Sequence, residues 1–263
     1  MTGITSNLTV REVEARLAGD PDQDFLAACR LDPRAGVRRA YERRMRRSAA
    51  QDAETARMES LLAYERKLWR QGFLLVAGVD EAGRGPLAGP VLAGACVLPS
   101  TFDLPGLNDS KQIPPQQREQ LYARIVEQAL AWAVGSADVT EIDELNILEA
   151  TKLAMQRALA GLQVRPHHVL TDAVKLPALD IPQTPLINGD SLSASIAAAS
   201  ILAKVSRDRL MHVYASTYPG YGFEQHKGYP TPEHMAALKR LGPCPLHRLS
   251  FAPVRTAVAA GRG

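Results

Sequence analysis

Cysteine is scarce in this chain of 263 residues, and long hydrophobic runs are missing. The three cysteines, Cys29, Cys96 and Cys244, are scattered and form neither a disulfide framework nor a zinc-binding pattern. No apolar run approaches the ~18 residues that span a bilayer, and the first residues lack the charged and apolar regions of a secretory signal. These absences argue against membrane proteins, zinc enzymes and disulfide-rich secreted proteins, and we expect a cytoplasmic protein.

The net charge is also small, at +3, but it is unevenly distributed. Residues 1–72 contain 14 Lys and Arg against 11 Asp and Glu, whereas the remainder contains 17 of each. Seven arginines lie between Arg34 and Arg47. A basic segment favours a polyanionic partner. These arginines either form an auxiliary nucleic-acid-binding segment or lie in solvent on a helical appendage, and the sequence leaves both possibilities open.

The pattern of apolar residues divides the chain at residue 73. Residues 1–72 are predicted to be a basic helical extension, with a capping box at Thr9 and Glu12. From residue 73 onward, apolar runs that predict strands alternate with helical segments. The predicted strands are 73–79, 91–98, 131–139, 169–171 and 184–187, and the predicted helices are 114–130, 140–161, 191–214 and one from Thr231. This alternation predicts an α/β domain with a mixed sheet over residues 73–263.

A glycine-rich loop, 83–89, follows the first predicted strand. It differs from a dinucleotide-binding fingerprint because its third glycine is one position late and because Pro86 and Pro90 disfavour a following helix. The loop joins two strands, so no helix N-terminus is available for a pyrophosphate. A turn without a ligand fits the glycines better than an NAD site, but it leaves the preceding Asp80 and Glu81 unexplained.

Four acidic residues stand at the ends of predicted elements. Asp80 and Glu81 end the first strand, Asp172 ends a later one, and Asp190 precedes the long helix. If these strands are neighbours in one sheet, their ends converge and the carboxylates form a site suited to Mg²⁺ or Mn²⁺. Residue types alone favour ordinary solvated acids for the adjacent pair, and Asp190 could be a helix N-cap.

Five sequence blocks stand in order, without large gaps, between about residues 73 and 255. They are VDEAGRGPLAGP at 79–90, LNDSK at 107–111, EIDELNI at 141–147, AAASILAKV at 197–205 and HKGYPT at 226–231. Together they resemble the signature blocks of ribonuclease HII, the type 2 ribonuclease H family, and the set is far more specific than any one motif. The resemblance implies a ribonuclease H-like α/β fold, with a central mixed sheet flanked by helices and a helical C-terminal part. Residues 1–72 resemble the N-terminal extension of a subgroup.

The resemblance also implies which residues act. The family's four acidic positions fall on Asp80, Glu81, Asp172 and Asp190, which would be catalytic and would hold two Mg²⁺ or Mn²⁺ ions. Many members have glycine after the third acid, where this chain has Ala173. The implied substrate-binding residues are Gly83, Arg84, Gly85 and Tyr229, with Lys111 and Lys204 as candidate phosphate contacts.

By the same resemblance, the chain would be an endonuclease that hydrolyses the RNA strand of RNA–DNA hybrids, including 5′ of single ribonucleotides embedded in DNA. Its products would carry 3′-hydroxyl and 5′-phosphate ends, and its role would be to remove misincorporated ribonucleotides and RNA primers. We expect a monomer whose partners are hybrids and ribonucleotide-containing DNA duplexes, with no membrane partner. Two alternatives stay open. A junction resolvase-like nuclease of the same fold would not need the Gly83–Gly85 loop with Tyr229, and a non-catalytic nucleic-acid-binding protein would not need the four carboxylates.

Overall fold

The computed structural model describes residues 3–177 and 179–260, and the chain forms two compact units, Met1–Glu59 and Ser60–Gly263. The change in sequence pattern at residue 73 therefore lies inside the second unit, which extends back to Ser60. No helix within the described ranges is long and apolar enough to cross a membrane.

The first unit is helical. Its elements are α1 (Gly3–Ser6), α2 (Val10–Ala18), α3 (Gln23–Leu31) and most of α4 (Ala35–Leu61). The predicted capping box is present, since Thr9 Oγ1 accepts the Glu12 amide at 3.3 Å and the Glu12 carboxylate accepts the Thr9 amide at 2.7 Å. The core of this unit consists of Val13, Leu17, Phe25, Cys29, Val37 and Ala40.

A five-stranded mixed sheet lies at the centre of the second unit. Its strands are β1 (Val76–Ala82), β2 (Val91–Val97), β3 (Ala131–Ala137), β4 (His168–Asp172) and β5 (Gln183–Leu186), in the order β3-β2-β1-β4-β5. The pairs β1–β2 and β2–β3 are antiparallel, whereas β1–β4 and β4–β5 are parallel. All five predicted strands are present, which confirms the α/β class, although their ends shift by one to three residues because end residues carry little periodic signal.

Helices cover the sheet and form the C-terminal part. They are α5 (Ala63–Arg70), α6 (Pro115–Gln128), α7 (Val139–Leu145), α8 (Ile147–Ala160), α9 (Ala194–Thr217), α10 (Phe223–His226), α11 (Pro232–Leu241) and α12 (Ala252–Ala260). The prediction of one helix over 140–161 was wrong, because Asn146 adopts φ 74° and divides it. The Asn146 side chain then accepts the amides of Leu148 and Glu149, which caps α8.

The two long helices of the second unit pack on opposite faces of the sheet. Ala77 and Val79 of β1 share a buried cluster with residues of α8. The intervening Gly78 faces α9, where an added Cβ would lie 2.0 Å from the carbonyl carbon of Ser195. Because side chains alternate along a strand, Asp80 lies on the same face as Gly78. Helix α9 therefore passes very close to the strand that carries the first acidic residue.

Candidate active site

Three carboxylates meet at one edge of the sheet. Asp80, Asp172 and Asp190 each offer one oxygen, and the three oxygens all lie within 4.8 Å of one another. Strands β1 and β4 are parallel neighbours in which Val79 is paired with Thr171, so their carboxyl ends bring Asp80 and Asp172 side by side. The structure thus brings together three of the four acids that the sequence singled out.

Asp190 reaches this group from a turn rather than from a helix cap. It lies in the 3₁₀ turn Gly189–Ser191, and α9 is capped instead by Ser193, whose Oγ accepts the Ile196 amide at 3.2 Å. The Gly189 amide donates to Asp172 Oδ1 at 2.8 Å. The interpretation of Asp190 as a simple N-cap is therefore wrong, and the turn holds Asp190 next to Asp172.

The electrostatics of this group fit a bound divalent cation. Burial, together with the charges of Glu81 and Asp172, raises the pKa of Asp80 well above its ordinary value, although Ser200 of α9 donates a hydrogen bond to it. Burial and the nearby Asp109 and Asp172 likewise raise the pKa of Asp190. Crowded, poorly solvated carboxylates are costly unless a cation compensates them. A donor set made only of carboxylate oxygens is the kind that Mg²⁺ and Mn²⁺ prefer.

Glu81 lies outside the group of three. Side chains alternate along β1, so Glu81 leaves the strand on the face opposite Asp80. Its Oε1 lies 3.3 Å from the guanidinium of Arg84, while its Oε2 is buried and finds no hydrogen-bond partner among the described residues. Burial raises the pKa of Glu81 against the lowering effect of Arg84, and the charge of Asp172 adds to the rise. A buried oxygen without a hydrogen-bond partner, within electrostatic reach of Asp80 and Asp172, also fits a cation.

The two lysines lie in different surroundings. Lys111 is 77% exposed at its side chain, and its Nζ lies 3.8 Å from Asp190 Oδ2, so its charge stands at the solvent edge of the acidic group. Lys204 Nζ instead donates to Asp208 at 2.7 Å, one turn along α9, so its charge is already paired. Asp109 also adjoins Asp190. Sequence reasoning did not single out Asp109, because it lies in a loop without apolar periodicity.

Two buried arginines hold the glycine loop in shape. Arg248 donates to the carbonyls of Gly83 at 2.6 Å, Arg84 at 2.9 Å and Gly89 at 2.8 Å. Arg207 donates to two further carbonyls, those of Ala88 at 3.1 Å and Pro90 at 3.0 Å. Burial lowers the pKa of Arg248 to about 9 and that of Arg207 to about 10, so both stay charged at neutral pH.

The loop passes so close to Arg207 that Gly83 cannot be replaced without movement. Gly83 has φ +100°, and an added Cβ would lie 2.1 Å from Arg207 Nε. Tyr229 lies on the outer side of the loop, where a Cβ on Gly85 would be 3.5 Å from its ring and where 42% of Tyr229 is exposed. Of the predicted substrate contacts, Arg84, Gly85 and Tyr229 are exposed and lie on one side of the loop, whereas Gly83 is buried against Arg207. Arg84 links this exposed surface to Glu81.

Histidines support Tyr229 from the interior. His234 Nδ1 lies 2.9 Å from the Tyr229 carbonyl, so this nitrogen must donate and the other nitrogen of a neutral His234 must accept. That second nitrogen lies 3.1 Å from His247 Nε2, which must then be the donor, and His247 Nδ1 accepts the Cys244 amide at 3.0 Å. Burial lowers the pKa of His247 to about 4 and also lowers that of His234. Both rings are therefore neutral, each in one tautomer.

Comparisons with known proteins agree with this arrangement. The family model described as Ribonuclease HII matches residues 77–254, and the one described as Ribonuclease HII N-terminal domain matches residues 9–69. A ribonuclease HII of Desulfitobacterium hafniense (strain Y51) is 56% identical over 255 residues, which cover 97% of this chain and 98% of that protein. A ribonuclease HII of Moorella thermoacetica is 59% identical over 207 residues, which cover 79% of this chain and 99% of that protein.

Among solved structures, the ribonuclease H2 from Pyrococcus horikoshii OT3 is 29% identical with a TM-score of 0.62, and the match covers 71% of this chain and 98% of that one. The mixed sheet with flanking helices is thus a ribonuclease H-like fold. Sequence identity over nearly the whole length and the two matching family models lead to one conclusion: the chain belongs to the ribonuclease HII family and is a ribonuclease H hydrolase.

Proposed function

We propose that this hydrolase is a metal-dependent endonuclease that cuts the RNA strand of RNA–DNA hybrids, including the phosphodiester 5′ of a single ribonucleotide within DNA. The products carry 3′-hydroxyl and 5′-phosphate ends. The observation that carries the proposal is the position of the braced Gly83–Gly85 loop, which Arg84 joins to Glu81 beside the three aspartates. A site for hydrolysis and a surface that can recognise a ribose therefore adjoin each other.

Asp80, Asp172 and Asp190 would hold two Mg²⁺ or Mn²⁺ ions, with Glu81 completing the set. When bound, such ions polarise the phosphate, activate a water and stabilise the leaving oxygen. The chain itself holds the carboxylate ligands in position. Ser200 holds Asp80 by a hydrogen bond, and the Gly189 amide holds Asp172. No side-chain nucleophile is required.

Discrimination between RNA and DNA requires contact with the 2′-hydroxyl. The carbonyls of Gly83 and Arg84 point inward to Arg248. The C=O and N–H groups of a trans peptide point in opposite directions, so the amides of Arg84 and Gly85 face the exposed side of the loop. These amides can donate to a 2′-hydroxyl oxygen, which deoxyribose lacks. The exposed ring of Tyr229 beside Gly85 offers a flat surface on which the sugar can pack.

The test uses three duplexes of one sequence: all DNA, DNA with one ribonucleotide, and an RNA–DNA hybrid, each with Mg²⁺ or Mn²⁺. The wild type should cut the second 5′ of the ribonucleotide, cut the hybrid at many positions and leave the first intact. Asp80→Asn should be inactive on all three. Tyr229→Ala should lose activity most on the single ribonucleotide, whereas Tyr229→Phe, which keeps the ring, should retain most of it.

Cleavage of the all-DNA duplex at a comparable rate would contradict the proposed recognition of ribose and would favour a resolvase-like activity. Equal cleavage by wild type and Asp80→Asn would contradict the proposed site. A matched control is Asp143→Asn, the same chemical change at a half-buried carboxylate that binds the backbone of Leu249 and Ser250. This control should not change the cleavage pattern.

A further inference from the structure

We propose that Glu65 on α5 is a positioning residue for the acidic group, because it holds the start of α9 and thereby the turn that carries Asp190. The inference rests on the proposed function, since the role of Asp190 as a metal ligand is part of that proposal. Glu65 precedes the first strand and lies outside every block that resembles the family signatures.

Glu65 makes two hydrogen bonds to the start of α9. It is fully buried, and its Oε1 accepts the Ser193 hydroxyl at 2.6 Å and the Ser195 amide at 2.9 Å. The first amides of a helix have no partners within the helix, and they carry partial positive charge. Glu65 therefore acts as a second cap of α9, which another helix supplies in addition to the N-cap Ser193.

The start of α9 is in turn bonded to the acidic group. The Ser193 amide donates to the Gly189 carbonyl at 2.9 Å, and the Gly189 amide donates to Asp172 Oδ1 at 2.8 Å. Asp190 is the next residue after Gly189. A continuous series of hydrogen bonds thus runs from Glu65 through Ser193 and Gly189 to Asp172, with Asp190 attached to its middle.

Close packing transmits the position of α9 to this turn. A Cβ on Gly189 would lie 2.7 Å from Ile196 Cδ1, so the turn and the first residues of α9 are in contact. Leu68, one turn after Glu65 on α5, shares a buried cluster with Ile196 and Leu186, the last residue of β5. A displacement of the start of α9 would therefore displace Gly189 and Asp190.

The position of Glu65 also lowers the free energy of unfolding in one respect. Glu65 Oε2 and Ser195 Oγ are both buried and have no hydrogen-bond partner within the described part of the chain. Unsatisfied buried polar atoms oppose folding. An apolar side chain at position 65 would remove the unpaired Oε2, but it would leave the Ser195 amide and the Ser193 hydroxyl without their acceptor.

The test measures Mn²⁺ binding to the full chain without substrate, by calorimetry, next to thermal unfolding without divalent ions and hybrid cleavage. Glu65→Ala should weaken Mn²⁺ binding by about tenfold, the lower end of the effect of groups that orient metal ligands. Cleavage at saturating Mn²⁺ and the KM for the hybrid should change much less. Glu65→Gln keeps an acceptor oxygen at the same reach and should restore most of the affinity.

Met155→Ala is the matched control, because Met155 is fully buried on α8, on the opposite face of the sheet. It should lower the thermal stability but leave Mn²⁺ affinity at the wild-type value. If Glu65→Ala loses stability to a similar extent and also keeps wild-type affinity, Glu65 is only structural and the inference is overturned. Should Glu65→Ala not fold, Glu65→Asp serves instead: it keeps the charge, draws the oxygen back by one methylene and should weaken Mn²⁺ binding in the same direction.

Asp190→Asn separates this inference from the proposed function. If Asp190→Asn binds Mn²⁺ as tightly as the wild type, the proposed metal site fails, and the role of Glu65 fails with it. If Asp190→Asn weakens binding while Glu65→Ala and Glu65→Asp do not, only the role of Glu65 is overturned.

Discussion

Replacement of Asp80 by asparagine should stabilise the metal-free protein against unfolding and, at the same time, abolish the further stabilisation by Mg²⁺. Asp80 is 3% exposed, and its carboxylate faces those of Asp172 and Asp190 within 4.8 Å. Asparagine has nearly the same shape and can still accept the hydrogen bond from Ser200. The change therefore removes mainly the charge.

The size of the effect follows from the distances. Two unit charges 4.8 Å apart repel by about 3.5 kcal/mol at an effective dielectric constant of about 20. Asp80 has two such neighbours, but the raised pKa of Asp80 lets a proton relieve part of the repulsion. We expect Asp80→Asn to raise the free energy of unfolding of the metal-free protein by an amount on the order of 1–3 kcal/mol.

The assay is urea unfolding in chelator and in Mg²⁺. A ligand at a hundred times its Kd stabilises a protein by about 2.7 kcal/mol, so the wild type should gain on this scale while Asp80→Asn gains little. The difference in the free energy of unfolding between the two proteins should then become smaller, or change sign, in Mg²⁺. Asp143→Asn is the control and should be less stable than wild type in both conditions, since Asp143 accepts three hydrogen bonds from Leu249 and Ser250. A metal-free Asp80→Asn protein less stable than the wild type would refute the reasoning.

Three further results are expected. Ala173 has φ 53°, a conformation that costs a residue with a Cβ roughly 1–2 kcal/mol. Glycine avoids this strain but has more conformational freedom in the unfolded chain, so Ala173→Gly should raise the free energy of unfolding by up to about 1 kcal/mol. A urea midpoint below that of the wild type would contradict this. Double replacement of the exposed Arg46 and Arg47 by alanine should reduce the slope of log hybrid affinity against log salt by up to about 1.8 if both contact phosphates, and an unchanged slope would mean that they only face solvent. His247 has a folded pKa of about 4 against an ordinary 6.5, so the unfolded chain takes up the proton first as pH falls, and the free energy of unfolding should be full above pH 6.5 and decrease by up to about 3 kcal/mol towards pH 4. The urea midpoint should therefore fall between pH 7.5 and pH 5 more in the wild type than in His247→Asn. An equal fall in both proteins, or no fall in the wild type, would contradict this.

The strands and two of the acids could be predicted because their signals are local. The first four strands contain short apolar runs, and Asp80 and Asp172 stand at the ends of two of them. The pairing of β1 with β4, which brings these acids together, has no local signal in the sequence. The break at Asn146 could not be predicted, because one polar residue within a helical pattern carries no sign of a left-handed backbone.

Long-range contacts of basic residues were not predictable. Arg207 and Arg248 donate to backbone carbonyls more than a hundred positions earlier, and Arg207 donates to the Lys227 carbonyl as well. A carbonyl has no signature in the sequence. The basic stretch shows the same limit of sequence patterns. Arg34 binds the carbonyls of the first turns together with Asp32, and Arg43 pairs with Glu14, so fewer arginines are available for a polyanion than their number suggested.

The attachment of the glycine loop to Arg248 has a consequence for the order in which the protein matures. Gly83 and Arg248 are 165 positions apart, so the ribosome completes the sheet and all four acids well before it adds the residue that turns the loop carbonyls inward. A nascent chain can therefore assemble its acidic group while the amides that we propose to recognise ribose still lack their final direction. Under the proposed function, the metal site of each molecule is therefore synthesised before the surface that recognises ribose is complete.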